Sequence, residues 1–100
     1  MNLTLQHSNE CPNWEQVEAH LSALANERAD LHITLQLIET QEAAVNLGFR
    51  GSPTVLIEGE DPFADPEAPV GLSCRVYLTP EGLAGTPTLA QLRAAVIAAG

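Results

Sequence analysis

Basic residues are scarce in this chain of 100 residues. Lysine and arginine together number four against thirteen aspartates and glutamates, a formal charge of −9. A polyanion would be repelled by such a surface, which excludes nucleic acid as a partner and disfavours acidic peptides. Aromatic residues make up only 4%. The core must therefore be built from Leu, Val, Ile and Ala. No basic start followed by an apolar run is present, and no stretch approaches the ~20 apolar residues that span a bilayer. A cytoplasmic protein without a membrane partner is expected. Cysteine is limited to Cys11 and Cys74. In a reducing compartment such a pair is expected as thiols rather than as a staple. Internal repeats, low-complexity tracts and linkers are lacking, so residues 1–100 are expected to form a single domain.

What is present is a clear alternation of elements. Leu3 and Leu5 alternate with Asn2, Thr4 and Gln6, a strand pattern. Pro12 suits a first helical position, and Val17, Leu21 and Leu24 recur at helical spacing with Glu15, Glu18 and Glu27 outside. A helix from about Pro12 to Asn26 follows. Leu31, Ile33, Leu35 and Leu37 alternate again, so the helix joins two parallel strands. Thr40 can cap a short helix that Gly48 ends, with Phe49 as its apolar clamp. Thr54–Glu58 reads as a third strand and Cys74–Leu78 as a fourth, separated by a proline-rich, acidic loop from Gly59 to Leu72. Such a loop is long for a hairpin connection. Thr88 to Gln91 is a capping-box pattern opening a last helix with Leu89, Leu92 and Val96 as its stripe. The order β-α-β-α-β-β-α implies an α/β (α+β) sandwich on a four-stranded mixed sheet, its final hairpin antiparallel to the first pair. Thr4, Gln6, Thr34 and Gln36 would form a polar side of that sheet.

The chemistry concentrates at Cys11. A strand feeds it to the mouth of a helix, where unpaired N–H groups and partial positive charge favour a thiolate. Trp14 follows three residues later. His7 lies close enough in sequence to support a thiolate or lend a metal ligand, although a surface histidine at a strand end is the plainer reading. Cys74 reads first as a half-buried strand cysteine and second as a partner thiol for Cys11. The acids Asp61, Asp65 and Glu67 lack the alternation and glycine of a calcium loop. No metal site and no cofactor is expected from these patterns.

The run Leu47-Gly-Phe-Arg-Gly-Ser-Pro53-Thr-Val-Leu-Ile57 resembles the Gly-x-Arg-Gly-x-Pro-Thr strand entry of the thioredoxin-like superfamily. With Cys11 and the element order, the resemblance covers nearly the whole chain. It implies a thioredoxin-like fold, a cis peptide before Pro53, and Ser52 and Pro53 flanking Cys11. The dithiol motif of that family is Cys-x-x-Cys; here it is Cys11-Pro-Asn-Trp14. Exchange within the motif is therefore excluded, and the resemblance implies a monothiol. Cys11 would react with a protein disulfide or a low-molecular-weight thiol, as a thiol–disulfide oxidoreductase does. Pro53 and Thr54 would offer backbone to the partner, and Trp14 would shape the groove. The segment Gly71-Leu-Ser-Cys74-Arg-Val-Tyr77 is similar to small thioredoxin-like proteins often labelled alkylmercury lyase. Organomercurial lyases carry an aspartate where Trp14 stands.

Two other classes fit the same residues. One is a soft-metal thiol site for mercury or copper, which needs both sulfurs close together. The other is a non-catalytic thioredoxin-like binding module, with a thinly covered sheet face available for a homodimer. The monothiol reading makes a geometric commitment. If the fourth strand starts at Cys74 and returns toward Cys11, then Cys74 lies on the order of 15 Å away. That is too far for a disulfide, whose Cα atoms must approach within roughly 7 Å.

Overall fold

The structure, a computed structural model, describes residues 1–100. Asn2–His7 (β1), Trp14–Glu27 (α1) and His32–Leu37 (β2) form the expected parallel crossover unit. Gln41–Leu47 (α2) follows, then Arg50–Ser52 (β3) and Thr54–Ile57 (β4). Gly71–Cys74 (β5), Tyr77–Thr79 (β6), Gly82–Ala84 (β7) and Leu89–Ala99 (α3) complete a compact α+β domain.

The apolar stripes fall where the sequence puts them. Val17, Leu21 and Leu24 of α1 and Leu92 and Val96 of α3 are buried. They pack with Leu3, Leu5, Val55 and Ile57 into one cluster of ten buried residues. Both long helices thus cover one face of the sheet. Thr40 caps α2 by accepting from the Ala43 N–H, and Gly48 ends that helix in the left-handed conformation. Thr88 and Gln91 form the reciprocal capping box of α3. A second, smaller cluster joins Ala44 of α2 to Ile38 and Phe49, with Val70 and Leu72 packed against it. The polar side is also as read: Gln6 lies opposite Gln36 and donates from its Nε2 to the Gln36 Oε1 at 2.9 Å.

The sheet itself corrects the expectation. It has three strands, in the order β2-β1-β4, with β4 antiparallel to β1. The reading of one strand entering at Pro53 misses β3, which lies before it and pairs in parallel with β5. Proline supplies no N–H, so the ladder cannot run through position 53. The strand read as Cys74–Leu78 is also divided. Cys74 ends β5, and Tyr77 begins β6, which pairs with β7 as a separate hairpin. The Tyr77 hydroxyl donates to the Pro53 carbonyl, and Arg75 donates to Thr54 Oγ1.

Candidate functional site

Cys11 and Cys74 are joined by a disulfide, with Cα atoms 5.3 Å apart across a sequence separation of 63. This overturns both the monothiol assignment and the separation of ~15 Å. The reason lies in the Gly59–Leu72 loop. Instead of delivering the chain to a strand that returns past β4, it brings β5 alongside β3 with Cys74 opposite Ser52. Cys74 is therefore at the Cys11 end of the molecule when the main-sheet extrapolation puts it at the other.

The loop is held there by Arg75. Its guanidinium pairs with Asp61 at 2.6 Å, donates to Thr54 Oγ1 at 3.1 Å and to the Phe63 carbonyl, and lies 4.6 Å from the centre of the Tyr77 ring. The Arg75 N–H also bonds the Ser52 carbonyl. Thr54 in turn donates to the Gly51 carbonyl. Burial raises the Tyr77 phenol well above its ordinary range; Arg75 pulls the other way, and Asp61 adds a smaller upward push.

Ser8 ties the Cys11 loop to both strands beneath it. Its N–H is accepted by Ser52 Oγ at 3.1 Å, and its hydroxyl donates to the Leu72 carbonyl at 2.6 Å. On the far side, His7 and Trp14 stack with ring centres 4.2 Å apart, closing the segment that carries Cys11. His7 is buried rather than at the surface, and its Nδ1 has no hydrogen-bond partner. Desolvation pushes its imidazole below the ordinary value, with the charge of Glu18 opposing.

The residues singled out from sequence are thus brought together. Ser52 lies opposite Cys74, the Ser52–Pro53 peptide is cis, and Thr54 begins the adjoining strand. Trp14 packs on His7 at the helix start. Arg75, Tyr77 and Ser8 were not legible as site residues. An arginine amid the alternation of Cys74-Arg-Val-Tyr77 is the one signal that could have found the first of them, since a strand's buried side rarely takes a charge without a partner.

The two cysteines differ sharply in exposure. Cys11 is fully buried, whereas Cys74 is exposed. Cys74 borders an open cleft of about 600 Å³ between β5, Arg50 and the Gly59–Leu72 loop. A thiolate entering through that cleft would meet Cys74 before Cys11, with Cys11 as the leaving sulfur. Exchange rates rise with access to the attacked sulfur and with the acidity of the thiol that leaves. Cys11 lies just ahead of the N-terminus of α1. No family model matches this chain, and neither a characterised protein nor a solved structure matches it.

Proposed function

We propose that the protein is a thioredoxin-like thiol–disulfide oxidoreductase whose redox couple is Cys11–Cys74. The carrying observation is the asymmetry of the pair: Cys11 is buried ahead of a helix, and Cys74 is exposed and lines a cleft. The parallel β1-α1-β2 unit, the antiparallel β4 and a cysteine between β1 and α1 support the thioredoxin-like assignment. In this reading a thiolate adds to Cys74 Sγ, the bond to Cys11 breaks, and Cys11 leaves as a thiolate that takes a proton from solvent. The second half-reaction releases Cys74. The partner is a low-molecular-weight thiol or a protein thiol or disulfide.

Single-cysteine variants test the direction of attack. Cys11→Ser should accumulate a stable mixed disulfide at Cys74 when incubated with an oxidised small thiol, read by intact mass and peptide mapping. Cys74→Ser, whose remaining thiol is buried, should label far more slowly. A wild-type bond that persists in the folded protein under millimolar dithiothreitol, opening only with denaturant, would overturn the proposal in favour of a structural cross-link.

The same juxtaposition favours a second reading. Once reduced, two thiols on Cα atoms 5.3 Å apart suit a two-coordinate soft ion such as Hg(II) or Cu(I). Equimolar Hg(II) should then protect both thiols of the reduced protein from alkylation, and protection lost on either single substitution would mark a paired site.

A further inference from the structure

The four basic side chains of this chain are all arginine. Three have carboxylate partners: Arg28 with Asp30, Arg75 with Asp61, and Arg93 with Glu27. Arg50 has none, in a molecule with thirteen acids. Its only protein acceptor is the Ala68 carbonyl, reached through Nη1. A guanidinium carries five N–H donors, so most of its capacity faces elsewhere. Arg50 lines the same cleft as Cys74. The register places it two residues from Ser52, which lies opposite Cys74, a step of about 7 Å along the strand. Glu10 and Asp65 line the cleft as well, and Phe63 and Val70 supply apolar wall. The cleft thus presents one uncommitted cation and two anions around the exposed residue Cys74. Its volume of about 600 Å³ falls among small-ligand sites.

We propose that this cleft admits a zwitterionic low-molecular-weight thiol, with its carboxylate on Arg50, its ammonium toward Glu10 and Asp65, and its thiolate at Cys74 Sγ. The proposal rests on the redox reading above and names the substrate class of that site. A cysteine-containing dipeptide spans the required distance, since an extended chain covers ~3.3–3.6 Å per residue. A simple anion is poorly suited, because the overall charge of −9 repels it before it reaches Arg50. Two thiols complete the reaction. The first thiolate forms an S–S bond to Cys74 as the Cys11–Cys74 bond breaks, and the electron pair goes to Cys11 Sγ. The second attacks the sulfur of the bound first thiol and releases Cys74 as thiolate. The products are one small-molecule disulfide and two protein thiols, after two protons return to the protein.

The test measures native disulfide opening at equal thiolate concentration for four reductants. These are cysteinylglycine, cysteamine, 3-mercaptopropionate and 2-mercaptoethanol. Cysteinylglycine should react about tenfold faster than 2-mercaptoethanol, the scale of one charge-assisted contact. It should also exceed cysteamine, which has the ammonium alone. Arg50→Gln should abolish the advantage of cysteinylglycine over 2-mercaptoethanol, read as the ratio of the two rates on the same variant, while Arg50→Lys should recover part of it. Since loss of the Ala68 contact can loosen the fold, circular dichroism accompanies each variant. On wild type, S-methyl-cysteinylglycine should slow reduction by 2-mercaptoethanol in a saturable way. Rates that follow net charge alone, with cysteamine fastest, would overturn the proposal, as would an unaffected 2-mercaptoethanol rate at saturating S-methyl-cysteinylglycine. If 2-mercaptoethanol opens the bond but cysteinylglycine has no advantage, the cleft proposal alone fails. If no thiol opens it in the native state, the redox reading itself fails.

Discussion

Tyr77 shows how much a single side chain contributes to the seam beside the disulfide. It is buried, its ring meets Phe63 edge-on at 5.6 Å, and its hydroxyl meets the Pro53 carbonyl while Arg75 lies over its face. The phenol is held neutral far above its ordinary value of 10.0, chiefly by burial. The sign of the consequence is fixed by linkage. Above pH 10 the unfolded phenol gives up its proton while the folded one keeps it. The unfolded state then binds fewer protons, so stability falls as pH rises. As Tyr77 is the only tyrosine, its ionisation can be followed directly by ultraviolet absorbance. Native protein should show no phenolate through pH 10–11, and its urea midpoint should drop across that interval. Tyr77→Phe should remove this component of the pH dependence. It should also cost about 1 kcal/mol at pH 7, because the Pro53 carbonyl loses its donor. A normal absorbance titration of the folded protein would contradict the buried, bonded phenol.

At the scale of elements, β3 and β5 join through a backbone approach that only glycine permits. Gly51 has φ +112, and a Cβ there would lie 3.0 Å from Arg75 Cβ and 3.1 Å from the Ser73 carbonyl oxygen. Both the backbone conformation and the contact oppose a side chain. Gly51→Ala should therefore destabilise the oxidised protein by about 1–3 kcal/mol, measured by urea denaturation. It should also speed reduction of the disulfide, since the strand carrying Cys74 must move away from β3. Unchanged stability would mean that β5 does not sit on β3 as described. This pair also marks where sequence legibility ended. The helices were readable because their signals are local: the Val17, Leu21, Leu24 stripe, the Thr40 cap, the Gly48 stop and the Thr88–Gln91 box each lie within a few residues. The parallel pairing of β3 with β5 has no local signal. Its three- and four-residue strands lack alternation, and their partnership depends on Ser8, Asp61 and Arg75 converging from distant positions. The candidate site was legible to the same degree. Cys11, Ser52, Pro53 and Thr54 carry signals that put them together, whereas the location of Cys74 is set by the Gly59–Leu72 loop, which brings β5 alongside β3.

Across the whole molecule, the disulfide and the main core are largely separate sources of stability. The ten-residue cluster spans α1, α3 and the central sheet and contains neither cysteine. The disulfide instead ties the start of α1 to the β3–β5 pair and the acidic loop. Closing a loop of this length lowers the entropy of the unfolded chain by an amount worth ~4 kcal/mol. A domain of this size has ~5–15 kcal/mol in all. Reduction should thus weaken the protein substantially but leave it folded, which a redox couple requires of its reduced form. Paired denaturation curves with and without reductant should differ by about 2–4 kcal/mol. Native-state hydrogen exchange should localise the loss. Amides of β5 and of the Cys11 segment should lose protection on reduction, and those of β1, α1 and β4 should retain it. Cys11→Ser/Cys74→Ser should reproduce the reduced pattern without reductant. Global unfolding on reduction would make the bond a staple for the whole fold, and a reversible redox cycle through a folded dithiol would then be excluded.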